Sequence, residues 1–138
     1  MATATNILFQ WTDAYSVGIP EIDHQHKGLI RLINDLHLAM LERRAKLGLS
    51  AILHSLVRYT EQHFQYEETM MKERKYSALA AHQQEHRDLT RQVKELQNRF
   101  DSGKLLITNE VMRFLKEWLT NHILQRDMAY AKELGARV

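Results

Sequence analysis

The sequence predicts an all-α fold, an up-down-up-down antiparallel four-helix bundle with an N-terminal arm. Three observations carry that expectation. The 138 residues contain one proline, Pro20, and five glycines, so little interrupts helical hydrogen bonding. Apolar residues recur at alternating steps of three and four in four separate stretches, the pattern of amphipathic helices. The connections between stretches are short, which makes neighbouring helices antiparallel. An α-solenoid would carry a motif repeated every 34 to 47 residues or so, and none is visible.

Residues 1–19 include Trp11, Tyr15 and Gly18 and lack helical periodicity, so they are expected to pack as an arm along the domain. Residues 20–138 then form the bundle as a single domain. The first helix is predicted to start near Pro20, since proline suits a first helical turn, where its missing N–H has no helical partner. Its apolar stripe runs Ile22, Leu29, Ile30, Ile33, Leu36, Met40, with His26 inside it. The second is expected to start near Ser50, an N-cap following Gly48. Its stripe is Leu49, Ile52, Leu53, Leu56, Val57, then His63, Phe64, Glu67, Met70, Met71. The third is predicted from about Ala78 to Asp101, before Ser102 and Gly103, with a seam of Leu79, His82, His86, Leu89, Val93, Leu96 and Phe100. The fourth is expected to start near Thr108 or Asn109, with Val111, Phe114, Leu115, Trp118, Leu119, His122 and Ile123 facing inward.

Composition excludes several classes. The 19 Lys and Arg are interspersed with 17 Asp and Glu, so the sequence offers no electrostatic case for nucleic acid or an anionic membrane surface. The chain has no cysteine, which rules out disulfides and thiolate metal sites. Met1 to Trp11 do not read as a basic region followed by an apolar run, and no stretch approaches the roughly 20 apolar residues of a membrane span. A cytoplasmic location is therefore expected. No helix carries a second continuous apolar stripe, so a monomer is expected, with no protein partner indicated.

The histidines point to chemistry. His26, His63, His82, His86 and His122 fall on inward faces, and so does Glu67. Polar groups there are costly unless something binds them. His63 and Glu67 are four residues apart, as are His82 and His86, so each pair lies one turn apart on one face. In antiparallel neighbours the end of the second helix meets the start of the third, and the start of the first meets the end of the fourth. All five histidines can then converge near one end of the bundle. Inward histidines and carboxylates on facing helices are how bundles build dinuclear metal sites. The other histidines differ. His24 lies about 200° around the helix from His26 and is expected to face outward, as is His54. His37 shares the azimuth of His26 but sits about 16 Å further along, too far to join the set.

The segments Ile22-Asp23-His24-Gln25-His26, His63-Phe64-Gln65-Tyr66-Glu67-Glu68, His82-Gln83-Gln84-Glu85-His86 and Trp118-Leu119-Thr120-Asn121-His122-Ile123 resemble the ligand motifs of hemerythrins of the single-domain bacterial type. Order and spacing match from Trp11 to about Leu134. The resemblance implies two iron ions in a non-haem, oxo- or hydroxo-bridged centre that binds dioxygen reversibly, and so an oxygen carrier, store or delivery protein rather than an enzyme. His82, His86 and His122 would hold one iron, His26 and His63 the other, with Glu67 and Asp127 bridging. With both irons six-coordinate, that set and the oxygen bridge leave one position open, on the iron with two histidines. Phe64, Trp118, Leu119 and Ile123 look like the apolar wall around the dioxygen position.

Asp127 enters through this resemblance. It lies five residues after His122, about 140° around an ideal helix, where Arg126 would fit the inward face better. A local widening of the helix between Ile123 and Asp127 is therefore predicted. The readings kept open beside the carrier are a di-iron enzyme acting on peroxide, nitric oxide or a small substrate, an oxygen or redox sensor, and an iron store. Zinc also suits histidine and carboxylate, but seven converging ligands fit two octahedral ions better than one tetrahedral ion.

Overall fold

A computed structural model describes residues 7–134 of the chain, apart from the side chains of residues 123 and 124. Among the described residues there are helices and no strands. The long helices are α1 (Pro20–Leu41), α2 (Lys46–Glu73), α3 (Leu79–Asp101) and α4 (Asn109–Asn121). α4 continues with right-handed helical backbone into a π-helical turn, His122–Asp127, and then α5 (Met128–Glu133). Pro20 opens α1 at its first position. Thr108 caps α4, its hydroxyl accepting from the Val111 N–H at 3.3 Å, which ties down one of the donors that a helix start leaves unpaired.

Two local expectations are corrected. α2 begins at Lys46 rather than near Ser50, and Ala45 flanks it with no side-chain cap. Gly48 does not adopt a positive φ and sits inside the helix. Ser50 is free of capping duty and donates instead to Asp101 Oδ1 across the bundle, 2.9 Å away. On α4 the inward stripe is Val111, Met112, Leu115, Trp118 and Leu119. Phe114 is 38% exposed and lines a surface groove between α3 and α4 with Leu96 and Leu105. Met112, three residues before Leu115, fills the core position instead.

Two apolar clusters organise the interior. The larger joins Leu29, Ile33, Leu36, Leu53, Leu56, Val93, Met112 and Leu115 along the bundle axis. The smaller, Val17, Ile22, Met71, Tyr76, Tyr130 and Ala131, closes the end where α1 starts and α2 finishes. The described part of the arm packs along α1. Phe9 is buried and exchanges two hydrogen bonds with Asn34, N–H to Oδ1 at 2.9 Å and Nδ2 to O at 2.7 Å. Ser16 and the Val17 N–H both donate to Asp23, at 2.6 and 2.8 Å. Lys27 and Lys116 place their ammonium groups over Trp11 and Phe9, so the arm is tied to both α1 and α4.

Candidate metal centre

Between the two apolar clusters lie seven buried side chains able to ligate a metal: His26, His63, Glu67, His82, His86, His122 and Asp127. α1 supplies His26, α2 supplies His63 and Glu67, α3 supplies His82 and His86, and the turn after α4 supplies His122 and Asp127. The depth matching expected from antiparallel neighbours is thus realised in the fold. His24 and His54 are exposed, and His54 contacts Asp101 at 2.6 Å. His37 is half-buried in the distal part of α1.

Asp127 reaches the interior because of the π turn. An i→i+5 turn stacks residues five apart where an α-helix stacks them four apart. His122 and Asp127 therefore share a face, and Arg126 rotates outward to pair with Glu85 on α3 at 2.5 Å. A regular helix would have pointed the guanidinium inward and left the carboxylate outside.

The candidate donor atoms form two overlapping sets. His26, His63, Glu67, His122 and Asp127 have donor atoms within 4.8 Å of one another, and so do Glu67, His82, His86, His122 and Asp127. Both carboxylates and His122 belong to both sets. The imidazoles turn Nε2 inward. Asp127 lies between the sets, Oδ1 at 3.1 Å from His82 Nε2 and Oδ2 at 2.8 Å from His26 Nε2. Glu67 Oε1 lies 3.4 Å from His63 Nε2 and 3.2 Å from His86 Nε2.

These approaches do not amount to a satisfied hydrogen-bond network. Among the described residues, the buried atoms without an aligned partner are His26 Nδ1 and Nε2, His63 Nε2, Glu67 Oε1, His86 Nε2, His122 Nδ1 and Nε2, and Asp127 Oδ2. Even the 2.8 Å contact of His26 with Asp127 lacks hydrogen-bond alignment. At about 1–3 kcal/mol for each unpaired buried group, the set costs as much as the whole stability of a domain, about 5–15 kcal/mol. Nitrogen and oxygen donors converging from several helices are what a divalent first-row metal requires, so the residues fit a metal centre.

Without a metal, the charged groups of the site shift one another. Burial and Glu67 work against ionisation of Asp127, but His122 and His26 outweigh them and hold it down at about 2. Burial also opposes the charge on Glu67, and the surrounding histidines still keep it well below the ordinary carboxylate range. Burial depresses His63 to about 3. Burial alone would lower His26 and His122 too, but the Asp127 and Glu67 carboxylates raise them to about 9 and about 10. The surroundings thus favour the anionic form of both carboxylates, the protonated form of His26 and His122, and the neutral form of His63.

Three residues that sequence reasoning missed brace these side chains. Tyr130, fully buried, donates its hydroxyl to Glu67 Oε2 at 2.8 Å. His86 Nδ1 lies 2.6 Å from Glu68 Oε2, and His63 Nδ1 lies 2.7 Å from Gln25 Oε1. Gln25 Nε2 donates to Glu21 at 3.0 Å, which turns the amide oxygen toward His63. In each pair the acceptor oxygen requires hydrogen on Nδ1, which in a neutral ring leaves the lone pair on Nε2, toward the interior. The only sequence signal was proximity: Glu68 follows Glu67, Gln25 precedes His26, and Tyr130 lies three residues beyond Asp127.

Of the expected apolar wall, Phe64 stacks on His86 with centroids 3.8 Å apart and planes within 3°, and its centroid is 4.9 Å from that of His122. Trp118 and Leu119 are buried in the larger cluster, the indole donating to the Leu89 carbonyl at 3.3 Å. The side chain of Ile123 lies outside the described residues. Among them, no helix is long and apolar enough to cross a membrane.

The chain is similar to known proteins. Residues 17–134 match the family described as hemerythrin HHE cation binding domain. The chain is 37% identical over 132 residues to a bacteriohemerythrin of Stenotrophomonas maltophilia, covering 95% of this chain and 84% of the relative. It is 32% identical over 126 residues to a myohemerythrin of Theromyzon tessulatum, covering 91% and 93%. A crystal structure of wild-type hemerythrin superposes with a TM-score of 0.85 at 32% identity, over 92% of this chain and 98% of that one. With the family matched across nearly the whole bundle and the buried histidines and carboxylates gathered at one end of it, the chain belongs to the hemerythrin family.

Proposed function

We propose that this protein holds two iron ions and binds dioxygen reversibly, as a carrier, store or delivery protein. His82, His86 and His122 would hold one iron and His26 and His63 the other. Glu67 and Asp127 would bridge, a role supported by the way the two oxygens of Asp127 face histidines of different sets. Iron, when bound, would supply reversible electron exchange with dioxygen. The protein supplies the rest. Tyr130 holds Glu67, Glu68 and Gln25 fix the imidazole tautomers, and Phe64 lies flat over His86. Five imidazoles against two carboxylates make the donor set less anionic than the four-carboxylate, two-histidine set of ferritin-like proteins, which favours exchange at low oxidation state over oxidative turnover.

The observation that carries this reading is the group of buried donor atoms without partners. The test is to load the protein with ferrous iron without air, count metal per chain, and follow the visible spectrum through cycles of oxygenation and removal. Two irons and a spectrum that reverses are expected. Two irons with irreversible oxidation, or steady consumption of peroxide, would replace the carrier with an enzyme. No stoichiometric iron would end the di-iron reading.

A further inference from the structure

The outer faces of the two ligand sets are chemically unlike. On one side His86 donates from Nδ1 to a carboxylate, Glu68, at 2.6 Å. On the other His63 donates from Nδ1 to a neutral amide, Gln25, at 2.7 Å. His86 belongs only to the set with His82, and His63 only to the set with His26. Both acceptors sit where a groove meets the buried site. Glu68 lies with Phe64, Arg87 and Arg91 in a groove of about 680 Å³ between α2 and α3. Gln25 lies with Tyr59 and Tyr66 in a depression of about 300 Å³ between α1 and α2.

Either acceptor selects the same tautomer, so tautomer selection does not explain the difference. A carboxylate does more than an amide. A hydrogen bond to an ionised acceptor is shorter and about twice as strong as a neutral one. It draws the Nδ1 proton away from the ring and makes Nε2 a better donor to a metal. The Phe64 ring stacked on His86 fixes the plane in which that effect acts. Glu21, which orients Gln25, acts on His63 only through the amide.

We propose that Glu68 is a positioning residue that makes the His82–His86 half of the centre the stronger metal site, with Gln25 as its deliberately weaker counterpart on the His26–His63 half. This rests on the two-metal reading above. The stronger half keeps its metal longer than the weaker half.

The test compares the wild type with Glu68→Gln, Gln25→Glu and the double exchange. Each is loaded with iron and challenged with a chelator, and metal release is followed in time. The wild type releases metal in two phases. Glu68→Gln speeds the slow phase by about 10- to 100-fold, the range for loss of an outer-shell partner, and leaves the fast phase in place. Gln25→Glu slows the fast phase, and the double exchange reverses which half is lost first. A second readout uses zinc-loaded protein labelled with ¹⁵N-histidine. Glu68→Gln moves the His86 Nδ1–H resonance and leaves that of His63 where it was, which a general loosening of the fold would not do. A single release phase in the wild type, equal acceleration of both phases, or an unmoved His86 resonance overturns the inference and leaves the metal reading intact. Failure of every form to take up metal overturns both.

Discussion

Replacing Tyr130 with Phe isolates one interaction at the centre. The Tyr130 hydroxyl donates to Glu67 Oε2 at 2.8 Å, and both side chains are fully enclosed. Phenylalanine fills the same space less one oxygen, so no cavity opens and the change is the loss of one hydrogen bond to a carboxylate. Bonds to charged groups contribute about 1.5–3 kcal/mol, and no solvent reaches this pair to screen it. Tyr130→Phe is therefore expected to lower the unfolding free energy of the metal-stripped protein by about 2 kcal/mol, or the Tm by about 6 °C for a chain of this length. Urea unfolding measures it, with an unchanged slope showing that the exposed surface is the same. A cycle with Glu67→Gln assigns the loss, because the coupling between contacting buried groups should exceed about 0.5 kcal/mol. A loss below about 0.5 kcal/mol, or the same loss with and without the Glu67 charge, would refute the reasoning.

Three further outcomes follow from the packing and charge. Gly28→Ala would bring a Cβ to 2.2 Å from the Tyr59 hydroxyl and 2.5 Å from the ring carbon that bears it. It should cost about 1–3 kcal/mol despite the better helix propensity of alanine, and a Tyr59→Ala background should turn the same change favourable by about 1 kcal/mol; a favourable effect with Tyr59 present would contradict the contact. Leu115→Ala, fully buried in the larger cluster, should cost about 2–5 kcal/mol yet leave metal per chain unchanged, because Leu115 lies about 10 Å along the helix from His122; loss of metal would tie the site to the core. In the metal-stripped chain, His26 and His122 are raised to about 9 and about 10, so their contribution is present below pH 6.5 and disappears as pH rises through 9 to 10. His63 is lowered to about 3, so its contribution is complete above 6.5 and disappears as pH falls toward 3. Stability should peak near pH 6.5, and metal uptake at pH 7 should release protons from His26 and His122, since a metal takes neutral imidazole. Unfolding titrations across pH 4 to 10 and proton counting on loading would check both, and stability that climbs from pH 7 to 9 would contradict the assignment.

What the sequence determined by itself was the set of helices and the inward faces of five histidines and Glu67. Those features are local: a period of about 3.6 residues selects a face within one helix, and steps of four place His63 with Glu67 and His82 with His86 before any neighbour is considered. Resemblance to hemerythrins added Asp127, and the mismatch between that residue and a regular helix was enough to anticipate the widened turn. Tertiary structure decided the rest. Ser50, expected as a cap, instead gives its hydroxyl to Asp101, some fifty residues away, while α2 starts at Lys46. Whether Phe114 or Met112 enters the core depended on how α4 is rotated against α3. The braces on the ligands join Gln25 to His63, Glu68 to His86 and Glu67 to Tyr130 across 38, 18 and 63 residues. Periodicity names the face a side chain takes, but a hydrogen bond is won or lost over a few tenths of an ångström, and only the mutual offset and rotation of packed helices set a distance that finely.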